Sequence, residues 1–141
     1  MSPVSAFGKA FVRYHRGLGR MPVSWKPWLL SLLAANMIVP LFYLHVSLEA
    51  WVIFGVALLN GATFVVLTAL TGFSRLLGLG HIFWIPLVVW LWGRLEAFPG
   101  SSLFACWLWA VVILDTGSVV LDAANVVRFI RGDRAEMVEG L

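Results

Sequence analysis

Hydrophobic residues occur in four long runs, separated by short stretches that contain charged or turn-forming residues. A helix needs roughly 20 apolar residues to cross about 30 Å of hydrocarbon, and each run is about that long. The runs predict transmembrane helices over residues 28–46, 51–70, 76–95 and 103–127. Because the connections are short, we expect an all-α polytopic membrane protein built from two helical hairpins.

The third run contains Gly78, Gly80 and Pro86, which weaken or end helices. A re-entrant segment is therefore an alternative to a complete crossing. In that case the three arginines after the fourth run would be carried across the bilayer, although Lys and Arg tend to stay in the cytoplasm. We therefore expect a complete crossing.

Residues 1–27 precede the first run and show an amphipathic pattern. On a helical period, the aromatic and aliphatic residues on one side are Phe7, Phe11, Tyr14 and Leu18. The basic residues on the other side are Lys9, Arg13, Arg16 and Arg20. This pattern is typical of an interfacial helix whose basic groups lie over anionic headgroups. Anchoring to the bilayer is the main interpretation, and a gate or a partner-docking arm is the alternative.

Composition supports a membrane protein. Of the 141 residues, 61% are hydrophobic and 12% charged, and the mean hydropathy is +0.92. Ordinary globular chains are about half apolar and about a quarter charged. The excess apolar surface must therefore be covered by lipid, and the length allows one membrane domain, residues 28–130.

The basic residues are unevenly distributed about the four runs. Nine of the ten precede the first run, lie between the second and third, or follow the fourth. Arg94 lies on the other side with Glu49 and Glu96. Because cytoplasmic segments retain Lys and Arg, both termini are predicted to be cytoplasmic, in a bacterial inner membrane. Residues 131–141 are predicted to form a polar, solvated tail.

The polar residues inside the runs carry the most information about function. Asp115 lies in the middle of the fourth run, where a carboxylate costs about 2.5–3.5 kcal/mol on insertion scales. It must therefore face protein or water. Asp122 lies two helical turns later, roughly 10 Å nearer the cytoplasm on the same side. Ser118 and Asn125 belong to the same polar stripe.

Depth matching adds polar residues from the first two runs. Asn36 and Asn60 lie near the centres of their runs and form a predicted midplane layer with Asp115. Pro40 lacks the N–H that would bond to the Asn36 carbonyl, so that oxygen is expected to be free. Thr63 continues the polar face inward. A second predicted layer, nearer the cytoplasm, comprises Thr71, His81, Asp122 and Asn125.

This pattern favours cation transport. A dehydrated carboxyl is more stable neutral unless a cation or hydrogen-bond donors stabilise its charge, so Asp115 can carry a proton or bind a cation. In a homo-oligomer with the fourth helix at its axis, Asp115 and Asp122 would form two carboxylate rings. The hypothesis is a homo-oligomer that conducts or exchanges H⁺, Na⁺, K⁺ or Ca²⁺. Each asparagine alone is better explained as a contact between helices.

Enzyme and cofactor motifs are missing from the sequence. It contains no HExxH, GxSxG or Walker pattern, and its single cysteine, Cys106, excludes a CxxC pair. The two aspartates lie too far apart on one helix to form an aspartyl protease dyad. We therefore expect no enzyme activity, no cofactor and no nucleic-acid partner.

Two alternatives to cation transport remain open. The first is an accessory or scaffold subunit whose polar residues bind a partner's membrane helices. The second is a membrane enzyme that acts on a lipid or quinone, with Asp115 or Asp122 as acid or base.

Overall fold

Helices make up almost the whole structure. The computed structural model describes residues 2–141, so Met1, the first residue of the predicted segment 1–27, lies outside the described residues. Within that range 79% of the chain is helical. Four helical segments are long and apolar enough to cross a membrane: Val23–Tyr43, Leu48–Thr71, Arg75–Trp92 and Leu103–Ile130. The predicted all-α fold with four membrane helices is therefore confirmed.

Residues 2–141 contain six α-helices and four shorter 3₁₀ or π-helical segments. The α-helices are α1 (Pro3–Arg20), α2 (Lys26–Leu33), α3 (Val39–Tyr43), α4 (Leu48–Thr71), α5 (Trp84–Trp92) and α6 (Leu103–Ile130). A 3₁₀ turn, Val23–Trp25, leads into α2, and a π-helical turn, Ala34–Ile38, joins α2 to α3. We call the end of the bundle that carries both termini the basic end.

The first half of the third span is a 3₁₀ helix, Arg75–His81, and only its second half is the α-helix α5. Two glycines allow this irregular segment to approach its neighbouring helices closely. A Cβ on Gly78 would lie 2.7 Å from the Asp122 carbonyl oxygen, and one on Gly80 would lie 2.4 Å from the Phe64 ring. The two glycines therefore let the third span pack directly against α4 and α6. The span ends at Trp92, before the predicted residue 95.

Helix α1 lies outside the four spans and is anchored to the basic end. Its first turn is capped by Ser2, whose hydroxyl oxygen accepts from the Ser5 N–H at 3.3 Å. Tyr14 and Leu18 pack into an apolar cluster around Phe73, and Gly17 fits against the Phe73 ring. The hydrophobic side of α1 is thus divided between protein contacts and exposed residues.

Part of the C-terminal segment packs against α1, while other residues, such as Arg131 and Arg134, are exposed. Val138 is buried beside Phe73, and the Met137 N–H donates to the Phe73 carbonyl at 2.8 Å. Glu136 pairs with Arg13. Arg20 donates to the carbonyls of two residues in this segment, Glu139 and Gly140. Alternating charges in the sequence indicated a polar segment. They gave no sign that Met137 and Val138 would reach the Phe73 cluster.

Gly78→Ala is expected to destabilise the protein by about 1–3 kcal/mol, because the new methyl group would overlap the Asp122 backbone. Gly61→Ala is the matched control, since a Cβ there meets nothing within 4 Å. That change should be neutral or stabilise α4 by up to about 1 kcal/mol. Thermal unfolding in detergent measures both effects, and equal midpoints for the two variants would contradict the close packing.

Candidate functional site

The central polar contact joins the first span to α6. The Asn36 side-chain amide donates to Asp115 Oδ1 at 2.8 Å, and also to the Leu32 carbonyl of its own helix at 3.1 Å. Asp115 is 0% exposed and Asn36 is 2% exposed. Two members of the predicted midplane layer are therefore in direct contact, deep inside the bundle.

Three buried oxygens around this contact have no hydrogen-bond partner within residues 2–141. They are Asn36 Oδ1, Asp115 Oδ2 and Ser118 Oγ. Asn36 Oδ1 belongs to the same amide that bonds Asp115, and Ser118 follows Asp115 by one turn on α6, so all three belong to one region. A carboxylate, an amide carbonyl and a hydroxyl are the oxygen types that bind hard cations.

A local change of helix register places Asn36 at this site. Asn36 is the middle residue of the π-helical turn, in which the Val39 N–H bonds to the Ala34 carbonyl, five residues back. In the same register Pro40 cannot donate to the Ala35 carbonyl. The Trp107 indole N–H of α6 donates to that carbonyl instead, at 2.8 Å. The sequence predicted a free carbonyl on Asn36, one residue later, because it did not reveal the π turn.

Asn60 belongs to a different contact from the one predicted. With its amide oriented to satisfy both neighbours, it donates to the Gly80 carbonyl at 2.8 Å and accepts from the Trp84 indole at 3.0 Å. It therefore joins α4 to the third span, and it makes no hydrogen bond to Asp115. Depth along the apolar runs suggested the pairing with Asp115, but depth does not reveal the rotation of α4 that brings Asn60 to Gly80 and Trp84.

A pair of titratable side chains, His81 and Asp122, lies between Asp115 and the basic end. His81 Nδ1 donates to Asp122 Oδ2 at 2.5 Å, and the two side chains are 17% and 20% exposed. The His81 ring stacks on Trp84, with centroids 3.7 Å apart and planes at 5°. The Phe64 ring meets it edge-on at 4.6 Å. Of the predicted second layer, the structure thus brings Asp122 and His81 together.

The other predicted site residues make separate contacts. Asn125 Oδ1 accepts from Arg75 at 2.7 Å, and Arg75 also bonds to Asp133. The Thr63 hydroxyl donates to the Leu59 carbonyl of its own helix, so it does not extend a polar path. Thr71 contacts Ser74 and the Leu67 carbonyl.

The Asp115 carboxyl faces the first span and not the outer surface of the bundle. A ring around an oligomer axis requires a carboxylate on the outer surface of each protomer, whereas Asp115 is fully buried against the first span. Within residues 2–141 no Lys, Arg or His forms an ion pair with Asp115. Charge at this carboxyl must therefore be balanced by something other than a basic side chain.

An ion pair that was not predicted lies at the end of the bundle opposite the basic end. Glu49 is 4% exposed and accepts from Arg94, with Nη2 at 2.6 Å from Oε1. Ser47 donates to its second oxygen at 2.9 Å. The only signal in the sequence was that Glu49 and Arg94 have opposite charges on the same predicted side of the membrane.

Comparison of the chain with protein-family models, characterised proteins and solved structures finds no match. The functional inference therefore depends on the geometry of the chain itself.

Asn36→Leu is expected to cost about 1–3 kcal/mol, because it leaves the Asp115 carboxyl buried without its donor. In the double variant Asn36→Leu/Asp115→Leu, both polar groups are removed, and the loss should be smaller than the sum of the two single losses. Unfolding free energies in mixed detergent measure this double-mutant cycle. Strict additivity would contradict the coupling, and Thr63→Val serves as a membrane control for loss of a polar group.

Tyr14 gives stability a dependence on alkaline pH. Burial, and to a lesser degree the Asp122 carboxylate, raises the pKa of the Tyr14 phenol above its usual range. The unfolded chain ionises this group near pH 10 while the folded chain keeps it neutral, so stability falls as pH rises above about 10. Tyr14→Phe should therefore lose less stability than wild type between about pH 8 and 11. Parallel unfolding midpoints over that range would disprove this contribution.

Proposed function

We propose that this protein binds H⁺ or Na⁺ at Asp115 and exchanges it across the membrane. The observation that carries the proposal is the group of three buried, unpartnered oxygens on Asn36, Asp115 and Ser118. A buried oxygen without a partner costs free energy. A bound proton or metal cation would satisfy these atoms and compensate that cost.

Charge balance favours a monovalent cation. A carboxylate buried in an apolar interior must be neutralised or paired, and no basic side chain of residues 2–141 pairs with Asp115. One proton or one Na⁺ cancels a single negative charge. Ca²⁺ takes six to eight oxygen ligands and would leave excess positive charge, so charge balance disfavours Ca²⁺ among the predicted ions.

The pair of His81 and Asp122 provides the inner end of the proposed pathway. Asp122 lies on the same face of α6 as Asp115, roughly 10 Å closer to the basic end. Ser118 lies between them on that face. His81 and Asp122 are partly exposed, whereas Asp115 is fully buried, and this difference favours entry of the cation from the basic end.

The enclosure of Asp115 favours a carrier over an open pore. Asp115 is fully buried, and the Glu49–Arg94 ion pair lies at the end of the bundle opposite the basic end. A cation can then reach Asp115 only when the helices move, as in alternating access. The π turn that contains Asn36 interrupts the regular α-helical hydrogen bonds of the first span, and such turns are frequent at functional sites.

The three unpartnered oxygens all belong to one protomer. A homo-oligomer, which we also propose, would therefore contain several parallel sites and no shared axial pore. The basic end faces the cytoplasm of a bacterial cell in this proposal, because eight of the ten basic residues lie in α1, the turn after α4 and the C-terminal region, and Lys26 begins α2.

Purified protein in liposomes tests the proposal. Asp115→Asn keeps the shape and the hydrogen-bonding capacity of the side chain but removes its titratable charge. We expect wild type to move H⁺ or Na⁺, measured with an internal pH dye and with radioactive Na⁺ uptake. Asp115→Asn should reduce that flux to the rate of protein-free liposomes.

Thr63→Val is the matched control, because it removes a polar group from a membrane helix without touching the Asp115 site. Its flux should equal that of wild type. Wild-type flux in Asp115→Asn would overturn the proposal. Absence of flux in correctly folded wild type would also overturn it and favour the scaffold alternative, which copurification of a stoichiometric partner would then test.

A further inference from the structure

We infer that the basic side of α1 forms a binding site for the headgroup of an anionic phospholipid. An open groove of about 560 Å³ runs along this side of the helix. Its lining includes Ser5, Lys9, Val12, Arg13, Arg16 and Leu141. This site is separate from Asp115 and does not depend on the proposed transport function.

Three cationic residues of the groove lie close enough along the helix to contact the same ligand. Lys9, Arg13 and Arg16 follow one another at intervals of four and three residues, so they lie on one face of the helix. Lys9 and Arg16 are exposed and have no acidic partner within residues 2–141. Arg13 shares its guanidinium with Glu136. Two cations are thus fully available to an anion, and a third partly so.

The chemistry of these donors fits a phosphate group. Arginine presents a planar fork of N–H donors that matches phosphate oxygens, and lysine adds a compact point charge. The Ser5 hydroxyl already donates to the Ser2 carbonyl at 2.9 Å, so the cationic side chains are the donors that remain.

The apolar side of α1, opposite the groove, favours a lipid over a free anion. Val4, Phe7 and Phe11 are 83%, 48% and 48% exposed on that side of the helix. Exposed aromatic and aliphatic residues on an amphipathic helix enter the boundary between headgroups and acyl chains. Tyr14 and Leu18 fix the same helix to the membrane bundle. With the apolar side in this boundary, the basic side faces the layer of headgroups, so a lipid phosphate can reach the groove.

A pair of double variants separates a site from general surface charge. Lys9→Gln/Arg16→Gln removes the two unpaired cations of the groove. Lys26→Gln/Arg131→Gln removes the same total charge from the start of α2 and the end of α6, outside the groove. The probes are short-chain phosphatidylglycerol, short-chain phosphatidylcholine and inorganic phosphate, each titrated against the full-length protein in neutral detergent.

We expect saturable binding of phosphatidylglycerol, measured by native mass spectrometry and by the shift of the unfolding midpoint. Lys9→Gln/Arg16→Gln should weaken it by about 30-fold, since each basic residue near a charged surface contributes about 1 kcal/mol. The control double variant should bind as wild type does. Both variants should unfold at the wild-type temperature without lipid, which shows that they are folded.

Three outcomes would overturn the inference. Equal weakening in both double variants would show that only total charge matters. Equal affinity of wild type for phosphatidylcholine would show that the anionic headgroup is not recognised. Binding of inorganic phosphate as tight as that of phosphatidylglycerol would identify a site for a free anion instead of a lipid.

Discussion

The hydrogen bond between Asn36 and Asp115 is the constraint on which the centre of the structure depends. A carboxyl at 0% exposure requires a donor, and only a residue on another span can supply one at this depth. The π turn presents Asn36 to α6, and Trp107 of α6 in turn satisfies the backbone carbonyl that Pro40 leaves without a donor. The π turn of the first span and the polar face of α6 therefore depend on each other, because each satisfies a buried polar group of the other.

Polar groups along the bundle divide into three levels with different environments. At the centre, Asp115 is sealed and incompletely bonded. Towards the basic end, Asp122 and His81 are bonded to each other and are partly exposed. At the opposite end Glu49 is buried, and its carboxylate forms an ion pair with Arg94. Only the central level combines burial with unsatisfied bonding capacity, which is why the proposed cation site lies there and not at the other two.

The sequence predicted the features that depend on hydrophobicity and depth, and missed those that depend on helix rotation. Span positions and the depth of Asn36 relative to Asp115 follow from counting residues along apolar runs. Asn60 has a similar depth, yet it faces Trp84 and Gly80, because the rotation of α4 about its axis is set by packing against the third span. The π turn and the 3₁₀ half-span likewise arise from tertiary contacts at Pro40, Gly78 and Gly80, which local propensity does not encode.

The contact between α1 and the C-terminal segment has a consequence for biosynthesis. Tyr14 and Leu18 precede Val138 by 120 residues or more, yet all three share one apolar cluster. Chains emerge at about 5–20 residues per second, so the N-terminal helix waits several seconds for its final partner. During that time its apolar face remains uncovered by the C-terminal segment, and the bilayer surface is the nearest place that can shield it.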